Sequence, residues 1–142
     1  MEAWLLDMGP IVAFLDAADT AHRVVVRAFE RFDGRFVTTD AVIVEAMHLV
    51  SRSPAGPGLL IDFLFSSQAA IHSSMSADNL LQAGGLITKY ADEPMDFADA
   101  TLVLLAARLR ISAVCSLDRR GFRTYRSGTR KAFDLVLDRG AG

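Results

Sequence analysis

The sequence has few of the residues that form disulfides and zinc sites. It contains one cysteine, Cys115, and three histidines among 142 residues. A single cysteine cannot form an intrachain disulfide, and the short β-prone run around Cys115 predicts a small core residue. No set of cysteine and histidine residues occurs at zinc-ligand spacing, which argues against a zinc site. A metal site built from carboxylate oxygens is therefore favoured over a zinc site.

Long uninterrupted apolar runs are also missing, although 51% of the residues are hydrophobic. Acidic residues interrupt the apolar stretches well short of the roughly 20 residues that a membrane-spanning helix needs. These residues are Asp7, Asp16, Glu45 and Asp62. The amino terminus has Glu2 and no basic cluster before its apolar run, unlike a signal peptide. We therefore expect a cytoplasmic protein that covers its surplus apolar surface with a partner or by oligomerisation.

Neither sign of charge dominates, because 17 acidic and 15 basic residues give a net charge of −2. This balance by itself predicts no binding of polyanions. Between Asp118 and Asp134, however, there is no acidic residue, and the basic residues are Arg119, Arg120, Arg123, Arg126, Arg130 and Lys131. A basic segment beside an acidic cluster is typical of proteins that bind phosphates near a metal. A solvated surface segment is the alternative interpretation.

The stretch 95–118 predicts a helix followed by a buried strand, with carboxylates at both ends. Asp96 and Asp99 are three residues apart, so both fall on one face of the first helical turn. Apolar residues follow at helical spacing, and Ala113–Cys115 is a β-prone run too short for another helix. Asp118 comes just after this strand, at the position where open α/β sheets usually place their chemistry.

The amino-terminal end predicts a second carboxylate at a strand end. Ala3–Leu6 is a short apolar run that predicts a buried strand, and it is followed by Asp7. A helix then opens at Pro10, since proline is favoured in the first helical turn. Asp7 is thus a candidate site residue, and capping of the next helix is the alternative.

A third candidate lies inside a helix. Arg35–Thr39 predicts the second strand, and Asp40 is expected to cap a helix that runs to about Ser51. Glu45 lies in the middle of that helix among apolar neighbours, where a carboxylate is costly to bury unless it is paired or bound to a cation. An exposed position at the edge of the helix is the alternative.

The remaining segments complete an α/β pattern. Residues 53–58 predict a loop, and a helix (59–66), a weak strand (68–72) and another helix (76–90) follow it. Residues 132–137 are a candidate for a last edge strand. We predict one domain over residues 1–142, a three-layer α/β/α sandwich with a central, mostly parallel sheet of four to five short strands.

In such a sheet Asp7, Asp99 and Asp118 converge in one crevice, and the helix of Glu45 can add a fourth carboxylate. Two like charges about 4 Å apart repel by about 4 kcal/mol at an effective dielectric of 20, so the group needs cations. Carboxylate oxygens favour Mg²⁺ or Mn²⁺. Such ions can deliver hydroxide to phosphorus and stabilise the leaving oxygen. The residues therefore predict metal-dependent hydrolysis of phosphodiester bonds.

Three separated motifs occur along the chain: LLDMGPIVAFLD, then VIVEAMHLV, then MDFADATLVLLAARL followed by SLDRRGF. Together they resemble the PIN-domain ribonucleases, and among these the VapC-type toxins of bacterial toxin–antitoxin pairs. The resemblance covers about residues 5 to 125 and implies a PIN-like sandwich. By this resemblance, the acids that hold the metal and act in catalysis are Asp7, Glu45, Asp99 and Asp118. Asp96 would hold the metal through water or cap its helix, and Ser116 would support the site with its hydroxyl.

The resemblance also implies a function and partners. The protein would be an Mg²⁺- or Mn²⁺-dependent endoribonuclease that cuts tRNA, rRNA or mRNA. Its partners would be a small VapB-type antitoxin, whose C-terminal segment lies in an apolar groove, and a second copy of the chain in a homodimer. From the basic segment we expect RNA contacts by Arg119, Arg120, Arg123 and Arg126.

One position departs from the family pattern, because Met8 follows Asp7 where the family usually has threonine or serine. The change removes a hydroxyl near the metal and predicts weaker metal binding or slower cleavage. It keeps open the interpretation of a catalytically silent PIN-fold binding module. A PIN-type nuclease of RNA processing without an antitoxin is a further alternative. A receiver-type phosphoryl-transfer domain would need a lysine after a late strand, and none lies between Lys89 and Lys131.

Overall fold

A five-stranded parallel sheet forms the centre of the computed structural model, which describes residues 1–128 and 130–140. Its strands are β1 (Ala3–Leu6), β2 (Arg35–Thr39), β3 (Ala70–His72), β4 (Ala113–Cys115) and β7 (Asp134–Leu135), in the order β3-β2-β1-β4-β7. Each neighbouring pair is parallel. The strands β5 (Arg126–Ser127) and β6 (Lys131–Ala132) form a separate antiparallel pair. The predicted parallel α/β architecture is confirmed.

Helices cover both faces of the sheet, which gives the α/β/α sandwich. They are α1 (Met8–Leu15), α2 (His22–Arg31), α3 (Asp40–Val50), α4 (Gly56–Ser66), α5 (Ala77–Lys89), α6 (Phe97–Leu109) and α7 (Arg119–Thr124), and a single 3₁₀ turn follows at Val136–Asp138. Helices α1, α3 and α4 contact one another, and α5 packs against α6. No helix in the described ranges is both long and apolar enough to cross a membrane.

The central strands are the most deeply buried part of the chain. Leu5 of β1 pairs with Val37 of β2 on one side and with Val114 of β4 on the other. Leu5 and Val114 are fully buried, as is Cys115, which is the core residue that the sequence predicts. Burial of a leucine or valine side chain contributes about 2 kcal/mol. Because the three strands are parallel and in register, the residues that follow them meet at one edge of the sheet.

Two helix starts differ from the prediction. Helix α1 begins at Met8 and not at Pro10, because the Asp7 side chain caps it. Helix α3 is capped by Thr39, whose hydroxyl accepts a hydrogen bond from the Val42 backbone at 3.3 Å. Asp40 instead accepts hydrogen bonds from the backbone and hydroxyl of Ser74, so it ties α3 to the loop after β3.

Two segment boundaries also differ. The predicted loop 53–58 ends early, because α4 begins at Gly56. A Cβ at Gly56 would lie 1.8 Å from the Val50 carbonyl oxygen, so only glycine fits between the two helices here. Most of the predicted last strand, 132–137, does not belong to the main sheet. Only Asp134–Leu135 joins it, because Ala132 pairs with Arg126 and the chain then turns into the 3₁₀ segment.

Candidate functional site

One serine hydroxyl connects the acids that follow β1 and β4. Asp7 is 9% exposed, and its Oδ2 accepts a hydrogen bond of 2.6 Å from the Ser116 hydroxyl. The same Ser116 oxygen accepts a hydrogen bond of 3.0 Å from the Asp118 backbone N–H. The other oxygen of Asp7 accepts from the Met8 backbone at 2.8 Å, which caps α1. Strand register and this hydroxyl thus fix Asp7 relative to the start of the Asp118 turn.

Asp96 and Asp99 form a reciprocal capping box at the start of α6. The Asp99 backbone donates to Asp96 Oδ1 at 2.7 Å, and the Asp96 backbone donates to Asp99 Oδ2 at 3.2 Å. This arrangement satisfies two of the free N–H groups at the helix start and holds both side chains in place. The box uses one oxygen of each carboxylate.

Asp118 caps the short helix α7 by accepting a hydrogen bond from the Gly121 backbone at 3.0 Å. A Cβ at Gly121 would lie 2.3 Å from Asp118 Oδ2, so glycine at this position makes room for the carboxylate. Tyr125, at the end of α7, is fully buried, and its hydroxyl donates to the Pro94 carbonyl at 2.8 Å. This contact joins α7 to the segment that leads into α6.

Glu45 faces the same carboxylates from α3, which packs against α6. Partial burial raises the pKa of Glu45, and the charges of Asp96 and Asp7 raise it further. The structure therefore brings Glu45 into one electrostatic group with the strand-end acids. Glu45 is partly exposed, between the buried position and the exposed edge position that the sequence left open.

Burial and mutual repulsion dominate the electrostatics of this group. Burial raises the pKa of Asp7, with further contributions from the charges of Asp96 and Asp118. Burial, followed by the charges of Asp7 and Asp96, raises the pKa of Asp99 to about 8. In the described parts of the chain, the salt bridges pair arginines with other acids, namely Glu2, Glu93, Asp134 and Asp138. In the described ranges, helix amino termini and the hydrogen bond from Ser116 offset part of the negative charge of this group.

The donor set suits a hard divalent cation, since carboxylate oxygens are the ligands that Mg²⁺ and Mn²⁺ prefer. The residues that could hold such an ion are Asp7, Glu45, Asp96, Asp99 and Asp118. In their present conformations, no three carboxylate, histidine or cysteine side chains within residues 1–128 and 130–140 are placed to hold one ion. Hydrogen bonds from backbone N–H groups hold Asp7, Asp96 and Asp118 in these conformations. The chemistry of the group therefore fits a metal ion.

The basic segment is partly neutralised by an acid from elsewhere in the sequence. Asp138 accepts hydrogen bonds from Arg119 Nε at 2.6 Å and from Arg123 Nη2 at 3.2 Å. Arg126 donates to three carbonyl oxygens at the end of α7, so it acts as a cap there. Arg120 is the most exposed of the four, with 87% of its side chain accessible. The RNA contacts expected of these arginines stay a prediction.

Sequence reasoning did not single out two threonines that lie behind the acids. Thr39 and Thr101 are each 2% exposed, and their hydroxyl oxygens are 2.8 Å apart. Two signals in the sequence point to them. Thr39 directly precedes a helix, and Thr101 is a hydroxyl residue in the apolar part of α6.

Comparisons with known proteins agree with this fold. A family model described as the PIN domain matches residues 5–127. Ribonuclease VapC26 of Mycobacterium tuberculosis is 29% identical over 123 residues, which cover 86% of this chain and 91% of that protein. The crystal structure of M. tuberculosis VapC20, described as a toxin that cleaves the sarcin–ricin loop, matches with a TM-score of 0.70 and 19% identity. The match covers 80% of this chain and 88% of VapC20, and at that identity it shows the fold alone.

Proposed function

The chain belongs to the PIN-domain family, and we propose from this premise that it is a metal-dependent endoribonuclease, the toxin of a toxin–antitoxin pair acting in the cytoplasm. The observation that carries the proposal is the group of carboxylates at the carboxyl edge of the sheet, two of them buried. Asp7 and Asp99 are each 9% exposed, and both have raised pKa values. The similarity to Ribonuclease VapC26 supports the choice of RNA as the substrate class.

The acids proposed to hold Mg²⁺ or Mn²⁺ are Asp7, Glu45, Asp99 and Asp118, with Asp96 in support. A bound divalent ion would supply an activated water and offset negative charge on the phosphate. The protein's own groups orient the ligands. The Ser116 hydroxyl and the Met8 backbone hold the two oxygens of Asp7, and the Gly121 backbone holds one oxygen of Asp118.

The Ser116 hydroxyl that the resemblance implies is in place at Asp7, although the hydroxyl at position 8 is missing. Asp7 Oδ2 already accepts a short hydrogen bond from the Ser116 hydroxyl, so this carboxylate keeps a side-chain donor despite the methionine. The Met8 backbone N–H still donates to Asp7 Oδ1. This arrangement favours an active nuclease over the silent binding module.

We propose RNA, an antitoxin and a second copy of the chain as partners. Beside the acids, Met8, Val44, Glu45, His48 and Leu49 line an apolar depression that suits the C-terminal segment of a VapB-type antitoxin. Several large apolar side chains are exposed elsewhere, including Phe65 and Leu81 at 78% each, and they supply surface for a homodimer. Large exposed apolar side chains favour such contacts.

A cleavage assay tests the nuclease directly. Antitoxin-free protein is incubated with labelled tRNA, rRNA and mRNA in Mg²⁺, in Mn²⁺ and in excess chelator. We expect discrete fragments only with metal, and none from Asp7→Asn or Asp118→Asn. The matched control is Asp16→Asn, which changes an exposed aspartate at the other end of α1 and should cut like the wild type.

Two outcomes would count against the proposal. Cutting by Asp7→Asn and Asp118→Asn at the wild-type rate would show that the acidic group is not the active site. Absence of cleavage by the wild type in every metal would favour the silent module. In that case, restored cleavage by Met8→Thr would identify the missing hydroxyl as the cause.

A further inference from the structure

A series of buried hydrogen bonds connects helices α3 and α6. The Val42 backbone N–H donates to Thr39 Oγ1 at 3.3 Å. The hydroxyl oxygens of Thr39 and Thr101 are 2.8 Å apart, and the Thr101 hydroxyl donates to the Ala98 carbonyl at 2.7 Å. Both threonines are 2% exposed, so water does not compete for these contacts.

The number of available hydrogens determines which threonine donates in the contact between the two hydroxyls. A threonine hydroxyl has one hydrogen to donate. The hydrogen of Thr101 goes to Ala98, so the hydrogen between the two threonines must come from Thr39. Thr39 in turn accepts from Val42. In this arrangement each threonine hydroxyl donates one hydrogen bond and accepts one.

These hydrogen bonds join the two helices that carry acids of the site. Thr39 ends β2 and caps α3, the helix of Glu45. Thr101 lies in α6 two residues after Asp99 and bonds to Ala98 in the first turn of the same helix. Helix α3 also packs directly against α6. The contact between the two threonines therefore holds together the two helices that carry Glu45 and Asp99.

We propose that Thr39 and Thr101 are positioning residues of the metal site, whose mutual hydrogen bond sets the spacing between Glu45 and Asp99. The inference rests on the proposed function, because it requires a divalent ion on these carboxylates. Neither threonine touches the ion or the substrate. Direct hydrogen-bond partners of metal ligands typically change metal affinity by about 10- to 100-fold when they are removed, and the threonines act one step further out, through the helices.

The test measures Mn²⁺ affinity of metal-free protein by calorimetry, with no RNA present. Thr101→Val keeps the shape of the side chain and removes the hydroxyl, and we expect it to weaken Mn²⁺ binding by about tenfold. Thr101→Ser keeps the hydroxyl and should bind within about twofold of the wild type. The control for a purely structural effect is Leu64→Ala, a truncation in the core of α4, which should lower the melting temperature and leave Mn²⁺ affinity unchanged.

The second threonine tests the same contact from the other side. Thr39→Ala should weaken Mn²⁺ binding, and Thr39→Ser should restore it. The double variant with Thr101→Val should lose less affinity than the sum of the two single losses, because both variants remove the contact between the two hydroxyls. If Thr101→Val does not fold, the Thr39 pair of variants answers the question alone.

The outcomes separate this inference from the proposed function. Wild-type affinity in Thr101→Val or in Thr39→Ala would overturn the positioning role and leave the nuclease proposal intact. Additive losses in the double variant would also overturn it. Absence of Mn²⁺ binding by the wild type, or equal binding by Asp7→Asn, would overturn the metal site and with it both proposals.

Discussion

At the scale of single residues, the buried carboxylate of Asp99 lowers the stability of the metal-free protein, although the proposed metal site requires it. Its pKa is raised to about 8, so at neutral pH the folded state holds a proton that the unfolded state has lost. For an acid whose pKa is raised by folding, the contribution to stability is fully present below the unfolded pKa. It is lost as the pH rises toward the folded pKa. Metal-free protein should therefore lose stability between about pH 4 and about pH 8.

Asp99→Asn should remove this dependence. The amide oxygen can still accept the hydrogen bond from the Asp96 backbone, so the capping box keeps one of its halves. We expect a gain of about 1–2 kcal/mol in the free energy of unfolding near neutral pH, and a melting temperature higher by about 3–6 °C. Thermal unfolding of the wild type and of Asp99→Asn in chelator, across the pH range, measures both quantities. A lower melting temperature, or a pH dependence as steep as that of the wild type, would contradict the assignment of the raised pKa to Asp99.

Ser116 is the residue whose single hydroxyl serves two neighbours. It donates to Asp7 and accepts from the Asp118 backbone. Ser116→Ala leaves Asp7 with fewer donors and frees the start of α7. We expect Mn²⁺ affinity and the cleavage rate each to fall by about tenfold, with the fold retained. Ser116→Thr keeps the hydroxyl and is the matched control, so equal losses in both variants would mean that packing, not the hydroxyl, is what matters.

At the scale of elements, the sequence predicts three of the central strands better than it predicts the helix starts. Ala3–Leu6, Arg35–Thr39 and Ala113–Cys115 are strands with the predicted bounds, because their apolar runs end in clear breaks. These strand ends are what place Asp7 and Asp118. The α3 cap was assigned wrongly because Thr39 and Asp40 are both good capping residues. A tertiary contact of Asp40 with Ser74 decides between them, and no local pattern reveals it.

The acids of the candidate site can be listed from the sequence, but the long-range hydrogen bonds around them cannot. Asp96 and Asp99 at three-residue spacing already predict one face of a helix, and the capping box follows from that spacing. The contact of Thr39 with Thr101 joins residues 62 positions apart, and that of Ser116 with Asp7 spans 109 positions. Such contacts depend on how the elements pack, which local sequence does not specify.

The ion pairs of helix α7 lead to a prediction about RNA binding by the basic segment. Asp138 engages Arg119 and Arg123, so its charge weakens the positive field that RNA phosphates would meet. Asp138→Asn should tighten RNA binding by roughly two- to tenfold at low salt and steepen its salt dependence, because two arginines become available to phosphates. Filter binding in the Asp7→Asn background measures this without cleavage.

The control for this experiment is Asp78→Asn, which removes the same charge from an exposed position in α5. If Asp138→Asn and Asp78→Asn change RNA affinity equally, only net charge matters and the arginines have no special role. If Asp138→Asn weakens binding, the main role of Asp138 is to hold α7 in place.

At the scale of the whole molecule, the acidic edge is tolerated because stability comes from elsewhere. The buried strands and an aromatic cluster that includes Trp4, Phe29 and Phe36 supply the apolar core. Arg139 joins the two ends of the chain, since it pairs with Glu2 and Asp134 and lies over the Trp4 ring. These contacts can therefore outweigh the repulsion between the carboxylates at one edge of the sheet. A cation that removes their repulsion should make the folded state more stable still.

A divalent ion should thus raise the melting temperature, and the size of the effect should depend on pH. At a concentration of about 100 times its dissociation constant, a ligand adds about 2.7 kcal/mol to the free energy of unfolding. Protons and Mn²⁺ compete for the same carboxylate oxygens, and the pKa values of Asp7, Glu45 and Asp99 are all raised. The increase with Mn²⁺ should therefore be larger at about pH 8 than at about pH 6. Asp7→Asn should abolish most of it, and Asp16→Asn should keep it. An equal increase with NaCl of matched ionic strength would show that screening, not ligation, stabilises the fold.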